Sequence, residues 1–112
     1  MTLLEIFEKV NLIVPIEQRR FFNYLEDTVN ELNTLYDGFL VFEPESEYTP
    51  PKDLSDSFGV LPLYHNAIVD NIVFLMGVGE TYKGEFIRKS RLAFNTYWRE
   101  NAKGKRVKRM RW

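Results

Sequence analysis

Apolar residues recur at three- and four-residue steps along most of this chain, the spacing of one face of an α-helix. Leu3, Leu4, Phe7, Val10 and Ile13 make the first such stripe. Thr2 stands where its hydroxyl caps the first turn, and Glu5 stands where its carboxylate reaches back to the cap, so a helix is predicted from Thr2 to about Ile13. Pro15 stops that helix and precedes a second, Ile16 to Tyr36, with Phe21, Phe22, Leu25, Val29, Leu32, Leu35 and Tyr36 on its inner face. Glu17, Arg19, Arg20, Glu26, Asp27 and Glu31 fall mostly on the outer side, and Asp37-Gly38 ends the helix.

The period then changes. Phe39-Leu40-Val41-Phe42 is a β-prone run, followed by a stretch to Gly59 that holds Pro44, Pro50 and Pro51 and is excluded from helix. This reads as a short strand leading into an extended loop, with Tyr48-Thr49 able to pair back on residues 39–42 as an irregular hairpin. Helical spacing resumes at Pro62, which suits the first turn of a third helix running to about Gly77, with Ala67, Ile68, Ile72, Leu75 and Met76 on its apolar face and Tyr64 and Phe74 on the flanks. A fourth helix, from Glu80 or Glu85 to Asn101, brings Phe86, Ile87, Ala93, Phe94, Tyr97 and Trp98 together. The expected fold is mainly α: a small four-helix bundle with a strand or hairpin excursion between the second and third helices. Residues 1–102 form one helical domain with its excursion at 39–60, and residues 103–112 form a basic tail.

At 112 residues, with 45% apolar and 28% charged positions, the chain has the size and composition of one soluble domain with a real core. Having no cysteine removes disulfides, thiolate metal sites and thiol nucleophiles, and the single histidine, His65, cannot make a multi-histidine metal site. No run of residues is apolar enough to suggest a membrane span, and no signal peptide is recognised, so a cytoplasmic chain is expected. Charge adds the feature that composition hides. Residues 1–80 hold 4 Lys/Arg against 14 Asp/Glu, while residues 81–112 hold 11 against 2. Lys103, Lys105, Arg106, Lys108, Arg109 and Arg111 crowd the last ten positions, and such a tail seeks an acidic partner, whether nucleic acid, an anionic surface or a neighbouring copy. The excursion is the acidic counterpart, with Glu43, Glu45, Glu47, Asp53 and Asp56 against Lys52.

Chemical motifs are weak. Gly79 to Glu85 has the glycine spacing of a phosphate loop, but Glu85 occupies the lysine position and repels phosphate. Gly77-x-Gly79 follows a helix and is read as its exit. His65 beside Asn66 has no marked Ser or Cys partner and is read as a partly exposed or core-edge residue, and Tyr97-Trp98 as core rather than a base-stacking platform. Trp112, with Val107 and Met110, reads either as an anchor for another surface or as a solvated chain end. No catalytic, metal or cofactor site is assigned.

The arrangement as a whole carries a resemblance. An N-terminal helix, a long helix containing Leu32-Asn33, a variable excursion, Leu61-Pro62-Leu63-Tyr64-x-x-Ala67-Ile68-Val69 opening a helix, and a last helix entering a basic tail resemble the head-to-tail connector adaptor proteins of tailed bacteriophages. These are small helical subunits that form a ring beneath the portal. The resemblance implies a non-enzymatic structural subunit of the virion, assembled in the host cytoplasm. It implies a homo-oligomer that joins the portal protein to the next tail or stopper protein and passes DNA without sequence-specific binding. By the same resemblance Lys103, Lys105, Arg106, Lys108, Arg109, Arg111 and Trp112 dock on the portal. The acidic loop, Glu43, Glu45, Glu47, Asp53 and Asp56, would border the lumen, where it repels passing phosphates, or face the next tail component. The alternative is a small nucleic-acid-binding regulator gripping phosphates with its basic fourth helix and tail.

Overall fold

The computed structural model describes residues 1–36, 41–43 and 47–102, with side chains through residue 99. Among these residues four α-helices follow in order: α1 (Leu3–Ile13), α2 (Gln18–Tyr36), α3 (His65–Leu75) and α4 (Glu80–Ala102). A 3-10 turn, Pro62–Tyr64, leads into α3. The helical bundle expected from periodicity is therefore present.

The arrangement follows from α3. Its sequence, HNAIVDNIVFL, has apolar residues on every face, and such a helix is stable in water only when surrounded. Ala67, Ile68, Val69, Ile72 and Val73 are all buried, and α1, α2 and α4 each pack against this central helix. Phe21 of α2 and Phe86 of α4 are the largest fully buried side chains donated by the outer helices. Phe7 of α1 meets Phe21 edge-on at 5.2 Å, a favoured aromatic geometry.

Local signals set the helix ends. Thr2 Oγ1 accepts from the Glu5 backbone N–H at 3.2 Å, and Glu5 Oε1 accepts from the Thr2 N–H at 2.8 Å, a complete capping box. Those bonds, given by Thr2, hold the Glu5 carboxyl below its usual range. Between the first two helices, Asn11 Oδ1 accepts from the Ile16 N–H at 3.0 Å. α3 ends on Gly77 at φ +84, where the Gly77 N–H donates to Phe74 O at 2.9 Å and the Val78 N–H to Val73 O at 3.5 Å, a Schellman ending.

Several expectations need correction. The strand excursion does not form among the described residues, since Phe42 makes a single antiparallel bridge, and its partner is Val60 rather than Tyr48-Thr49. Glu43 N–H to Gly59 O at 2.8 Å and Leu61 N–H to Val41 O at 2.9 Å frame that bridge. Prolines at 50 and 51 lack the donors a longer ladder needs. Tyr48 approaches through its ring instead, stacked on Phe42 at 4.5 Å. Phe39 and Leu40 lie outside the described residues. The loop also packs more than expected: Val41, Val60 and Leu61 are buried, and Leu54 and Phe58 lie against the core. On the helices, Leu4, Ile13, Leu35 and Ile87 are exposed, whereas Ile6 of α1 is fully buried.

Candidate functional site

The two charged regions singled out in the sequence fare differently. Lys103, Lys105, Arg106, Lys108, Arg109, Arg111 and Trp112 lie outside the described residues, as does Glu45. Of the remaining loop acids, Glu47, Asp53 and Asp56 are exposed and Glu43 is half-buried. Asp56 is turned onto its own loop: its Oδ2 accepts from the Lys52 N–H at 2.8 Å and the Asp53 N–H at 3.0 Å. Asp53 Oδ1 accepts from the Ser55 N–H at 3.4 Å, and its carbonyl accepts from the Asp56 N–H at 3.0 Å. Two of the acidic residues thus shape a compact turn, which leaves Glu47 as the exposed loop carboxylate with no such role among the described residues. Beside this turn, Phe22, Asn23 and Glu26 of α2 face Tyr48, Pro50 and Lys52 across a cleft of about 290 Å³. Burial, with a lesser contribution from the Glu26 charge, pushes the Tyr48 hydroxyl up to about 12.

A polar cluster between α2, α3 and α4 was not anticipated. Asn71 is fully buried in α3. Its Nδ2 donates to Thr28 Oγ1 of α2 at 2.9 Å, and Thr28 passes its own proton to Tyr24 O at 2.8 Å. Asn71 Oδ1 accepts from Lys83 Nζ of α4 at 3.1 Å, and that ammonium also pairs with Glu31 of α2. The Phe86 ring lies 4.7 Å from the same cation, so an aromatic face covers part of what the carboxylate leaves open. On the residue before Asn71, Asp70 Oδ2 lies 2.7 Å from Lys89 Nζ, an ion contact without a well-angled hydrogen bond. The signal in the sequence was Asp70-Asn71 interrupting the most apolar segment, since polar residues inside a buried helix require partners.

α4 looks strongly basic in sequence, but Lys83 and Lys89 pair with carboxylates of other helices and Arg88 with one of its own. Lys83 is paired with Glu31, Lys89 with Asp70, and Arg88 bidentately with Glu85 at 2.9 and 3.0 Å. The latter bond lowers the Glu85 carboxyl and raises the Arg88 guanidinium. Among the described side chains, Arg91 and Arg99 are the α4 cations with no carboxylate at ion-pair distance. Arg91 belongs to an exposed stripe with Gly84, Ile87, Arg88, Leu92 and Asn95, which surrounds a shallow groove of about 390 Å³.

His65 and Trp98 have positions within the packing. His65 is 3% exposed, and its Nε2 donates to Val60 O at 2.9 Å, because a carbonyl can only accept. Its Nδ1 is buried without a hydrogen bond, and burial lowers the imidazole's proton affinity. Trp98 stacks on Phe94 at 6.4 Å, Phe94 on Tyr36 at 5.1 Å, and Tyr36 tilts against Tyr64 at 6.2 Å. Trp98 is thus the outer ring of an aromatic column. The Tyr36 hydroxyl closes the column onto fully buried Ser90 at 2.9 Å, and Ser90 donates onward to Ile87 O at 3.2 Å.

Among the described residues, no group of three or more His, Cys, Asp and Glu is placed to hold a metal ion, and no helix is long and apolar enough to cross a membrane. The chain matches no protein-family model, no curated protein and no solved structure.

Proposed function

We propose that this chain is a structural subunit of a phage head-to-tail connector, an oligomeric ring that joins the portal to the tail and lets DNA pass. The observation that carries the reading is the segregation of charge on a mainly helical subunit built around one buried helix. The first 80 residues are acidic, the last 32 are basic, and the helix opened by Leu61-Pro62-Leu63-Tyr64 sits at the centre. A subunit that meets copies of itself head to tail needs two different complementary patches, and charge of opposite sign at two places supplies them. The adaptor acts without catalysis, carries no cofactor, meets the portal protein on one side and the next tail or stopper protein on the other, and resides in the virion after assembly in the host cytoplasm. Lys103 to Trp112 dock on the portal, and Glu47 with its neighbouring loop acids faces the DNA path or the next component.

The test is light scattering on the full chain and on a version ending at Ala102, each alone and with the portal protein of its source. Assembly that depends on the portal and is lost on truncation is the expected result. Monomers indifferent to the portal would refute the reading. The exposed Arg91 and Arg99 keep a second reading in view, a small nucleic-acid-binding regulator, whose mark would be DNA affinity falling steeply with salt and lost with residues 103–112.

A further inference from the structure

We propose that the outward stripe of α4 receives the outward stripe of α1 from a second copy of this chain. The inference rests on the connector reading for the closure of a ring, while the contact itself is argued from the shape and charge of the two faces.

On α4, Gly84, Ile87, Arg88 and Arg91 stand at positions i, i+3, i+4 and i+7, the four corners of the hole into which a neighbouring helix inserts a side chain. Arg88, Arg91, Leu92 and Asn95 repeat the same figure one turn on, and the two holes together make the groove described above. Gly84 opens the first hole, because a Cβ there would meet no atom within 4 Å. Leu92 is 59% exposed at the groove's rim.

On α1, Leu4, Glu8 and Leu12 recur at intervals of four along the face turned away from the core. Leu12 is 87% exposed, the most exposed large apolar side chain among the described residues. Knobs one turn apart match holes one turn apart. With the helices antiparallel and Leu12 seated beside Gly84, Glu8 falls in the second hole, against Arg91. Glu8 has no ion pair among the described residues, and Arg91 has none either, so each carries charge the fold does not use.

The charges also select this pairing over the symmetric ones. Two α4 faces would bring Arg88 and Arg91 onto their own copies, and two α1 faces would oppose Glu8 to Glu8. A contact between different patches repeats from copy to copy and closes into a ring or runs on as a filament. Two short helix faces bury less than the ~800 Å² per partner of a stable pair, so the contact is weak singly and strengthens as a ring closes on its portal.

The absence of cysteine gives a direct test. Full-length Leu12→Cys, labelled with heavy nitrogen, and unlabelled Ile87→Cys, at a corner of the first hole, are mixed in equal amounts under mild oxidation, and the three disulfide dimers are counted by mass. Unselective pairing gives the mixed dimer half of the total. The expected result is a mixed dimer several-fold above both symmetric ones, reduced several-fold by Arg91→Glu in the Ile87→Cys chain and restored by Glu8→Arg in its partner. A statistical mixture, or an excess of either symmetric dimer, overturns the proposal. Circular dichroism of each variant reports folding independently. If selective cross-linking occurs while the portal experiment fails, the interface stands and the connector reading falls. If the portal experiment succeeds with statistical cross-linking, the reverse holds.

Discussion

Replacing Asn71 by alanine should cost this fold more than removing the charge of Glu31, although Glu31 belongs to an ion pair and Asn71 is neutral. Asn71 is fully buried and holds two bonds across helices, to Thr28 at 2.9 Å and from Lys83 at 3.1 Å. A neutral buried hydrogen bond contributes about 1 kcal/mol and one from a charged donor about 1.5 to 3, so Asn71→Ala should lose about 3 kcal/mol. Lys83 and Glu31 side chains are 27% and 34% exposed, and pairs so open to water contribute about 0 to 1 kcal/mol. In Glu31→Gln the ammonium also keeps Asn71 and the face of Phe86. Urea unfolding followed by circular dichroism separates the two. With a slope of about 1.5 kcal/mol per molar urea, Asn71→Ala should lower the midpoint by about 2 M and Glu31→Gln by less than about 0.7 M. Asn71→Leu fills the volume but offers no bond, and it should destabilise comparably because Lys83 then faces a methyl group. The reasoning is refuted if Glu31→Gln is the costlier change, or if Asn71→Leu restores the wild-type midpoint.

Two glycines should respond oppositely to alanine. Gly77→Ala forces a side chain onto φ +84 and should cost about 1 kcal/mol, whereas Gly84→Ala, on the exposed face of α4 with open space around it, should add up to about 1 kcal/mol, both read from thermal midpoints. His65 should make stability depend on pH. Burial depresses its folded pKa below the ordinary 6.5, so stability is full above that value and falls as pH drops through it, because the unfolded state then binds the proton more readily. The slope cannot exceed about 1.36 kcal/mol per pH unit, and thermal midpoints of His65→Gln should be flatter than wild type between about pH 7 and 5.

The helices were legible because amphipathic periodicity, caps and prolines are local signals, and Thr2 with Glu5 at one end and Gly77 at another act within a few residues of themselves. What was not legible is relational. A stripe seen from sequence has no preferred edge, so Leu4 and Ile13 read as inward and Ile6 does not, whereas the rotation of α1 against the core buries Ile6 and exposes the other two. The excursion was misread for a similar reason. Its β-prone residues predict extended backbone, but the partner is Val60, distant in sequence, and a bridge across that distance is set by how the chain folds back, not by local propensity. The interior cluster was half visible. Asp70 and Asn71 announced that partners were needed, while the choice of Thr28, Lys83 and Lys89 depends on how three helices cross.

That crossing changes what the basic half of the chain can do. Formal charge makes α4 a candidate for gripping phosphates, but Lys83, Arg88 and Lys89 are already held by Glu31, Glu85 and Asp70. A phosphate would have to compete with a carboxylate for each of them, and withdrawing Lys89 would strand Asp70, which is 7% exposed. The described surface of α4 therefore offers Arg91 and Arg99. Each phosphate neutralised on duplex DNA contributes about −0.9 to the salt slope, so these two would support a slope near about −2, or roughly tenfold in affinity between 50 and 200 mM salt. A steeper slope from a chain ending at Ala102 would show that cations beyond Arg91 and Arg99 reach the DNA, against the loss of affinity that the regulator reading expects when residues 103–112 are removed. A slope this shallow or shallower leaves α4 better suited to one carboxylate on a protein surface than to a polyanion, which is what a ring contact through Arg91 requires.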